Sequence, residues 1–268
     1  MAKIIDTHCH LSSRDFDEEE VKKITSQANM LGIKYIFDVG YNLDNIHRLL
    51  VTIMQNKNVY GLIGIHPQDA NQVDQKSLAF IKEQVLLNEK VIGIGEIGLD
   101  YYNSDFDRKT QIKAFRAQAQ LAKELDVPIS VHIRDHKNKE DAYQDCYQIL
   151  KTIKTTKAIM HCFCGSVEYA KKFVKLGFFI SISGIITFKN GDNVVELVKK
   201  IDLEHLFLET DSPFLAPSPY RGKKNSPLWI KYVIKKIALI KKLNENVVIN
   251  QTFYNVIKLF PLLKTKKS

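Results

Sequence analysis

The sequence predicts an α/β protein, a (β/α)8 TIM barrel, on three grounds. Eight short apolar, β-branched runs alternate without a break with helical stretches, the pattern of a parallel sheet. The length of 268 residues suits one domain of this kind, since such barrels run to about 250 residues. The competing doubly wound sheet carries a glycine-rich phosphate loop after its first strand, and none follows here. No linker or low-complexity segment interrupts the alternation, so 1–268 reads as a single domain.

Each element has its own signal. The first strand is Ile4-Ile5-Asp6-Thr7-His8-Cys9-His10, apolar at its start and polar at its end. An amphipathic helix over 18–31 stops at Gly32, and the second strand, 34–39, closes at Gly40. A helix over 43–55 leads to strand three, 59–65, which ends in His66-Pro67. After a helix over 78–87, strand four spans 91–94 and runs into Gly95-Glu96-Ile97-Gly98-Leu99-Asp100. The long helix 108–125 has apolar positions at a 3.6-residue period, and strand five, 128–133, brings His132 just ahead of Arg134. The helix 139–153 precedes strand six, 158–160, which delivers His161. A helix over 167–176 ends at Gly177, strand seven is 178–183, and a helix follows over 194–199. Strand eight, 206–208, ends in Glu209-Thr210-Asp211-Ser212-Pro213. Helices over 228–241 and 245–259 complete the chain, and the tail 264–268 reads as solvated.

Composition narrows the class. Apolar and charged fractions of 45% and 26% are those of an ordinary globular protein. There is no apolar run of about 18 residues to cross a membrane, and no signal peptide is read at the start, so a cytoplasmic location is expected. Cys9, Cys146, Cys162 and Cys164 are too few and too irregularly spaced for a disulfide framework or a zinc ribbon, and read as small buried apolar residues. A net charge of +9 favours anionic partners such as nucleic acid, although a lysine-rich surface also serves solubility alone.

The polar residues collect at one rim. In a strand, residues two apart share a face, so His8 and His10 converge, with Asp6 expected on their face. His66 follows strand three, Glu96 strand four, His132 strand five, His161 strand six and Asp211 strand eight. These are the carboxyl ends of strands, where barrel enzymes build their active sites. Neutral imidazole is the commonest transition-metal ligand. Asp6 and Glu209, each two residues before such a position, read either as partners that orient imidazoles or as members of an ion pair deeper in the barrel. Arg134 shares the face of His132 and is positioned to clamp a phosphate or to form a rim salt bridge. Tyr101 and Tyr102 are placed to stack on a base or to line the mouth. His47, His136 and His205 fall away from strand ends and receive no function.

The motifs Asp6-Thr7-His8-Cys9-His10-Leu11, Gly64-Ile65-His66-Pro67, Gly95 to Tyr102, Val131-His132-Ile133-Arg134, His161-Cys162-Phe163 and Glu209 to Pro213 run over nearly the whole chain. Together they resemble the amidohydrolase-like metallohydrolases, and within them the TatD family of metal-dependent deoxyribonucleases. The resemblance implies an enzyme that hydrolyses DNA phosphodiester bonds with two divalent ions, Mg, Mn or Zn. It implies one ion held by His8, His10, Glu96 and Asp211, and a second held by a bridging Glu96 with His132 and His161. Water activated by the ions would be the nucleophile, Asp211 would accept its proton, and His66 would meet the phosphate or leaving group. The loop Pro219-Tyr220-Arg221-Gly222-Lys223-Lys224-Asn225-Ser226-Pro227 resembles the family's basic segment, with Arg221 and Lys223 as substrate contacts. Lys224 and Ser226 depart from the family pattern there, which leaves the loop basic but removes a guanidinium. DNA is the expected partner, with RNA and single-stranded DNA also open, and no obligate protein partner is inferred. Two alternatives remain at this point. One is hydrolysis of a small cyclic amide, lactone or amine on the same barrel, and the other is an inactive nucleic-acid-binding protein.

Overall fold

The structure is a computed structural model that describes residues 3–102, 107–155 and 157–265, with side chains omitted at 264 and 265. The tail read as solvated therefore lies outside the described side chains. Strands and helices alternate as β1 (Ile4–Cys9), α1 (Glu18–Met30), β2 (Ile33–Val39), α2 (Leu43–Gln55), β3 (Val59–Leu62), α3 (Gln75–Leu87), β4 (Val91–Asp100) and α4 (Arg108–Glu124). They continue as β5 (Ile129–Arg134), α5 (Asp141–Ile153), β6 (Ala158–Met160), α6 (Val167–Lys175), β7 (Phe179–Ile182), α7 (Asp192–Lys200), β8 (Leu206–Leu208), α8 (Ile230–Lys241), α9 (Glu245–Leu259) and α10 (Leu262–Thr265). The strands pair in parallel in chain order from β1 to β8. Hydrogen bonds from Asp211 N–H to the His8 carbonyl, 2.9 Å, and from His10 N–H to the Ser212 carbonyl, 2.7 Å, close the remaining seam above β8. The result is a nearly closed (β/α)8 barrel.

Two apolar layers follow from strand alternation. Tyr35, Phe37 and Val39 of β2 share a cluster with Ile5, Tyr60, Leu62, Ile92, Ile159, Phe179 and Phe207, which fills the lower barrel. Val256 and Leu259 of α9, Phe260 just after it and Leu263 of α10 join the same cluster and stopper that end. Ile36, Ile46, Leu49, Ile129, Val131, Phe173 and their neighbours form the second layer, between strands and helices. Several helix starts carry side-chain caps, as in α1, where Asp17 and Glu20 form a reciprocal capping box, while α5, α7 and α8 start without one.

Two departures from the sequence reading shape the site. β4 runs for ten residues to Asp100 instead of stopping at Ile94, and β3 ends at Leu62, short of Ile65. In β4 the pairing with β5 shifts by one residue between Ile94 and Ile97, so Glu96 sits in a bulge inside the strand, a common way to re-aim a side chain at an active site. β1 contains a like shift: Asp6 pairs with Ile36 and Cys9 with Asp38, three residues against two. The extra residue breaks the alternation, so Asp6 does not share the face of His8 and His10.

Candidate metal centre

Glu96, buried at the bulge of β4, stands between two groups of imidazoles. Its Oε2 lies 3.5 Å from His8 Nε2 and 3.7 Å from His10 Nε2. Its Oε1 lies 2.8 Å from His132 Nδ1, and 3.6 Å from Nε2 of both His161 and His66. Asp211, on the turn after β8, places Oδ1 3.4 Å from His10 Nε2, 3.7 Å from His161 Nε2 and 4.0 Å from His8 Nε2. The His8 and His161 rings stack with centroids 3.5 Å apart. All six residues expected to hold metal therefore meet at one mouth of the barrel.

The partner of each ring's remote nitrogen decides which nitrogen is presented to the centre. His10 Nδ1 lies 2.8 Å from the Val39 carbonyl, so Nδ1 carries a proton and Nε2 faces inward, where a cation would replace the second proton of the ring. His161 Nδ1 lies 3.1 Å from Glu209 Oε1 in an ion pair, which leaves Nε2 facing the centre. His8 Nδ1 is 3.1 Å from Ser130 Oγ. His132 is turned the other way, with Nε2 facing Asp100 Oδ2 at 3.4 Å and Nδ1 facing Glu96. His66 differs from these four. Gln68 N–H donates to its Nδ1 at 3.2 Å, so the neutral ring carries its proton on Nε2, the atom that faces Glu96. His66 thus offers an N–H to the site, and no lone pair.

The electrostatics are those of a site that gathers positive charge. Burial opposes charge on His10, but Asp211 and Glu96 outweigh it and raise the ring to about 9. His161 rises to about 10 despite burial, through Glu209, Asp211 and Glu96, and His132 rises to about 8 despite burial, through Asp100 and Glu96. Burial and the nearby His132 lower His66 to about 3, which keeps it neutral. Glu96 and Asp211 are held below the usual carboxylate range although burial opposes this, because the surrounding imidazoles stabilise their charge.

Divalent cations fit these residues. His8 Nε2 is buried without a hydrogen-bond partner, a costly state unless a ligand satisfies it. Donor atoms of His8, His10 and Asp211 lie within 4.8 Å of one another, as do those of His8, Glu96 and His161. Imidazole with carboxylate suits zinc, and carboxylate oxygens suit magnesium or manganese.

Glu209 lies where the sequence suggested, against His161, and also accepts the Cys162 N–H at 2.7 Å. Asp6 requires correction. Its carboxylate accepts from Thr210 N–H at 2.9 Å and from the Thr210 hydroxyl at 2.6 Å, and it meets no imidazole. The register shift in β1 is the cause, and the consequence is that Asp6 fixes the turn leading to Asp211. Arg134 is exposed, and its guanidinium lies 4.0 Å from the centre of the Tyr102 ring. Tyr101 is spent on structure, donating to Asp145 at 2.7 Å. Arg221 stacks on Phe188 at 3.6 Å and donates to the Ala216 carbonyl, while Lys223 lies 5.7 Å from the Tyr220 ring. Lys224 is tied to Glu20 at 2.6 Å and leans away toward α1. Cys9 and Cys146 are buried as expected, but Cys162 and Cys164 are half-buried and line a cavity of about 1040 Å3 that opens on His132, His161 and Asp211.

Sequence reasoning missed the part played by Asp100, which backs His132 and is 1% exposed. The signal was present: Glu96, Gly98 and Asp100 are two apart on a continuing strand, which places both carboxylates on one face. Gly98 lets that happen. Its φ is +149°, and a Cβ there would lie 1.9 Å from the His132 carbonyl oxygen.

Comparison with known proteins agrees with this geometry. The family model "TatD related DNase" matches residues 5–261. The chain is 38% identical over 259 residues to the metal-dependent hydrolase YabD of Bacillus subtilis (strain 168), covering 96% of this chain and 98% of that protein. It is 32% identical over 261 residues to the metal-dependent hydrolase YcfH of Escherichia coli (strain K12), covering 96% and 95%. The crystal structure of YJJV, a TatD homolog from Escherichia coli k12, superposes with a TM-score of 0.89 at 26% identity, covering 97% and 98%. With the family match spanning the barrel and every predicted ligand at its mouth, the chain belongs to the TatD related DNase family and is a metal-dependent hydrolase.

Proposed function

We propose that this chain is a deoxyribonuclease that cleaves DNA phosphodiester bonds with two divalent ions. The observation that carries the reading is the division of Glu96, one oxygen toward His8 and His10 and the other toward His132 and His161. A carboxylate so placed would serve both cations. His8, His10 and Asp211 would hold one with Glu96 Oε2, and His132 and His161 the other with Oε1. When bound, the ions supply Lewis acidity to phosphate oxygens and lower the pKa of the attacking water.

The remaining steps fall to side chains. Asp211 reaches both halves of the cluster and is ionised, so its carboxylate takes the proton released by the attacking water. His66 presents a neutral N–H on Nε2, suited to donate a hydrogen bond to a phosphate or leaving-group oxygen. Exposed Arg134 at the cavity edge and the basic loop with Arg221 and Lys223 supply positive charge for the rest of an anionic strand.

The test is incubation with a labelled single-stranded oligonucleotide and magnesium, manganese or zinc, with and without chelator. Chelator-sensitive cleavage products are expected. No product with any of the three metals would overturn the nuclease reading in favour of a small cyclic amide, lactone or amine substrate or of an inactive nucleic-acid-binding protein.

A further inference from the structure

We infer that Phe214 is a substrate contact, a platform on which the nucleobase beside the scissile phosphate stacks. This deepens the nuclease reading and rests on it. Three aromatic residues among the described residues are prominently exposed: Tyr102 at 46%, Phe214 at 54% and Tyr254 at 64%. Tyr254 lies on α9, whereas Tyr102 lines the cavity beside the metal centre and Phe214 packs against His10 of the centre itself. The cavity beside the centre is lined by Tyr102 and by Leu215, the residue after Phe214.

The turn that carries Phe214 is held in place, and its ring rests against His10. Its centroid lies 6.0 Å from that of His10, edge to face. Its N–H donates to the Asp211 carbonyl at 2.9 Å, and its carbonyl accepts from Asn225 Nδ2 at 2.7 Å. Asn225, 1% exposed, also donates from its side chain to the Thr210 carbonyl and from its backbone N–H to the Pro213 carbonyl, so one buried residue secures the whole turn. Asp211 and Leu215, on either side, hold left-handed φ values of +57° and +55°. Non-glycine residues keep that conformation only where the surroundings enforce it, and such positions cluster at functional sites. An apolar ring left more than half exposed on so constrained a turn contributes little to the core. It does offer a flat face beside the atoms that would grip a phosphate, and bases stack on aromatic faces with little regard to sequence.

The experiment compares wild type, Phe214→Leu and Phe214→Tyr on two oligonucleotides, one of thymine and one of 5,6-dihydrothymine. The dihydro ring is puckered, so it loses its stacking face but keeps the backbone and the hydrogen-bonding edge. Wild type and Phe214→Tyr are expected to show a kcat/KM roughly tenfold higher on thymine, the size of one base–aromatic stack. Phe214→Leu is expected to lose most of that preference at unchanged metal content. An undiminished preference in Phe214→Leu overturns the inference and leaves the nuclease reading standing. If wild type neither cuts nor binds either oligonucleotide, both fall together.

Discussion

Asp6 and Thr210, 204 residues apart, are joined by two hydrogen bonds of 2.9 and 2.6 Å from the Thr210 N–H and hydroxyl to the Asp6 carboxylate. Both residues are buried, and the pair ties β1 to the turn that carries Asp211. Asp6→Ala leaves the Thr210 N–H unsatisfied and the Thr210 hydroxyl with only Ser212 Oγ as acceptor. A loss of about 1–3 kcal/mol of stability is expected, measured by chemical denaturation, together with reduced metal content by elemental analysis. Wild-type metal content would show that Asp211 is held without this pair.

Glu96→Ala removes the oxygens that face both groups of histidines. Turnover is expected to disappear, with most of the bound metal lost. Chelation of wild type is expected to mimic this and to lower Tm, since a ligand at a hundredfold its Kd stabilises the fold by about 2.7 kcal/mol. Calorimetry with and without added metal checks it, and near-normal activity in Glu96→Ala would contradict the bridging geometry.

Asp100→Asn weakens the partner that turns Nδ1 of His132 toward Glu96. Loss of such a partner typically costs 10–100-fold in metal affinity or activity. Competition against a chromophoric chelator is expected to show one ion weakened and the other retained. Equal weakening of both would place Asp100 elsewhere in the mechanism.

Gly98→Ala forces a Cβ against the His132 carbonyl at a φ of +149°. Backbone in that region costs about 1–3 kcal/mol for other residues, and the clash adds to it. Thermal denaturation is expected to register the loss, with activity falling further because His132 is displaced. A wild-type Tm would show that β4 and β5 separate freely there.

Lys223→Ala is expected to weaken DNA binding and to reduce the salt slope, log Kobs against log salt, by about 0.7, the value for one phosphate contact on a single strand. Metal content should not change. Binding titrations at several salt concentrations decide it, and an unaltered slope returns Lys223 to the solvated surface.

What the chain determined by itself was whatever depends on near neighbours. Apolar runs and their period marked all eight strands, and the carboxyl ends of those strands carried His8, His10, His66, His132, His161 and Asp211, because strand direction in a barrel places those ends on one rim. Tertiary structure alone decided the facing of Asp6, the reach of β4 and the tautomers of the histidines. A one-residue bulge is settled by pairing with the next strand, as in β1 against β2 and β4 against β5, and local sequence does not encode the partner's register. Nor does it encode that Asn225 secures the turn at Thr210 and Phe214 across more than ten residues of loop. Those contacts form only once the barrel has brought distant segments together, which is why the set of candidate ligands was legible in the sequence and their orientation was not.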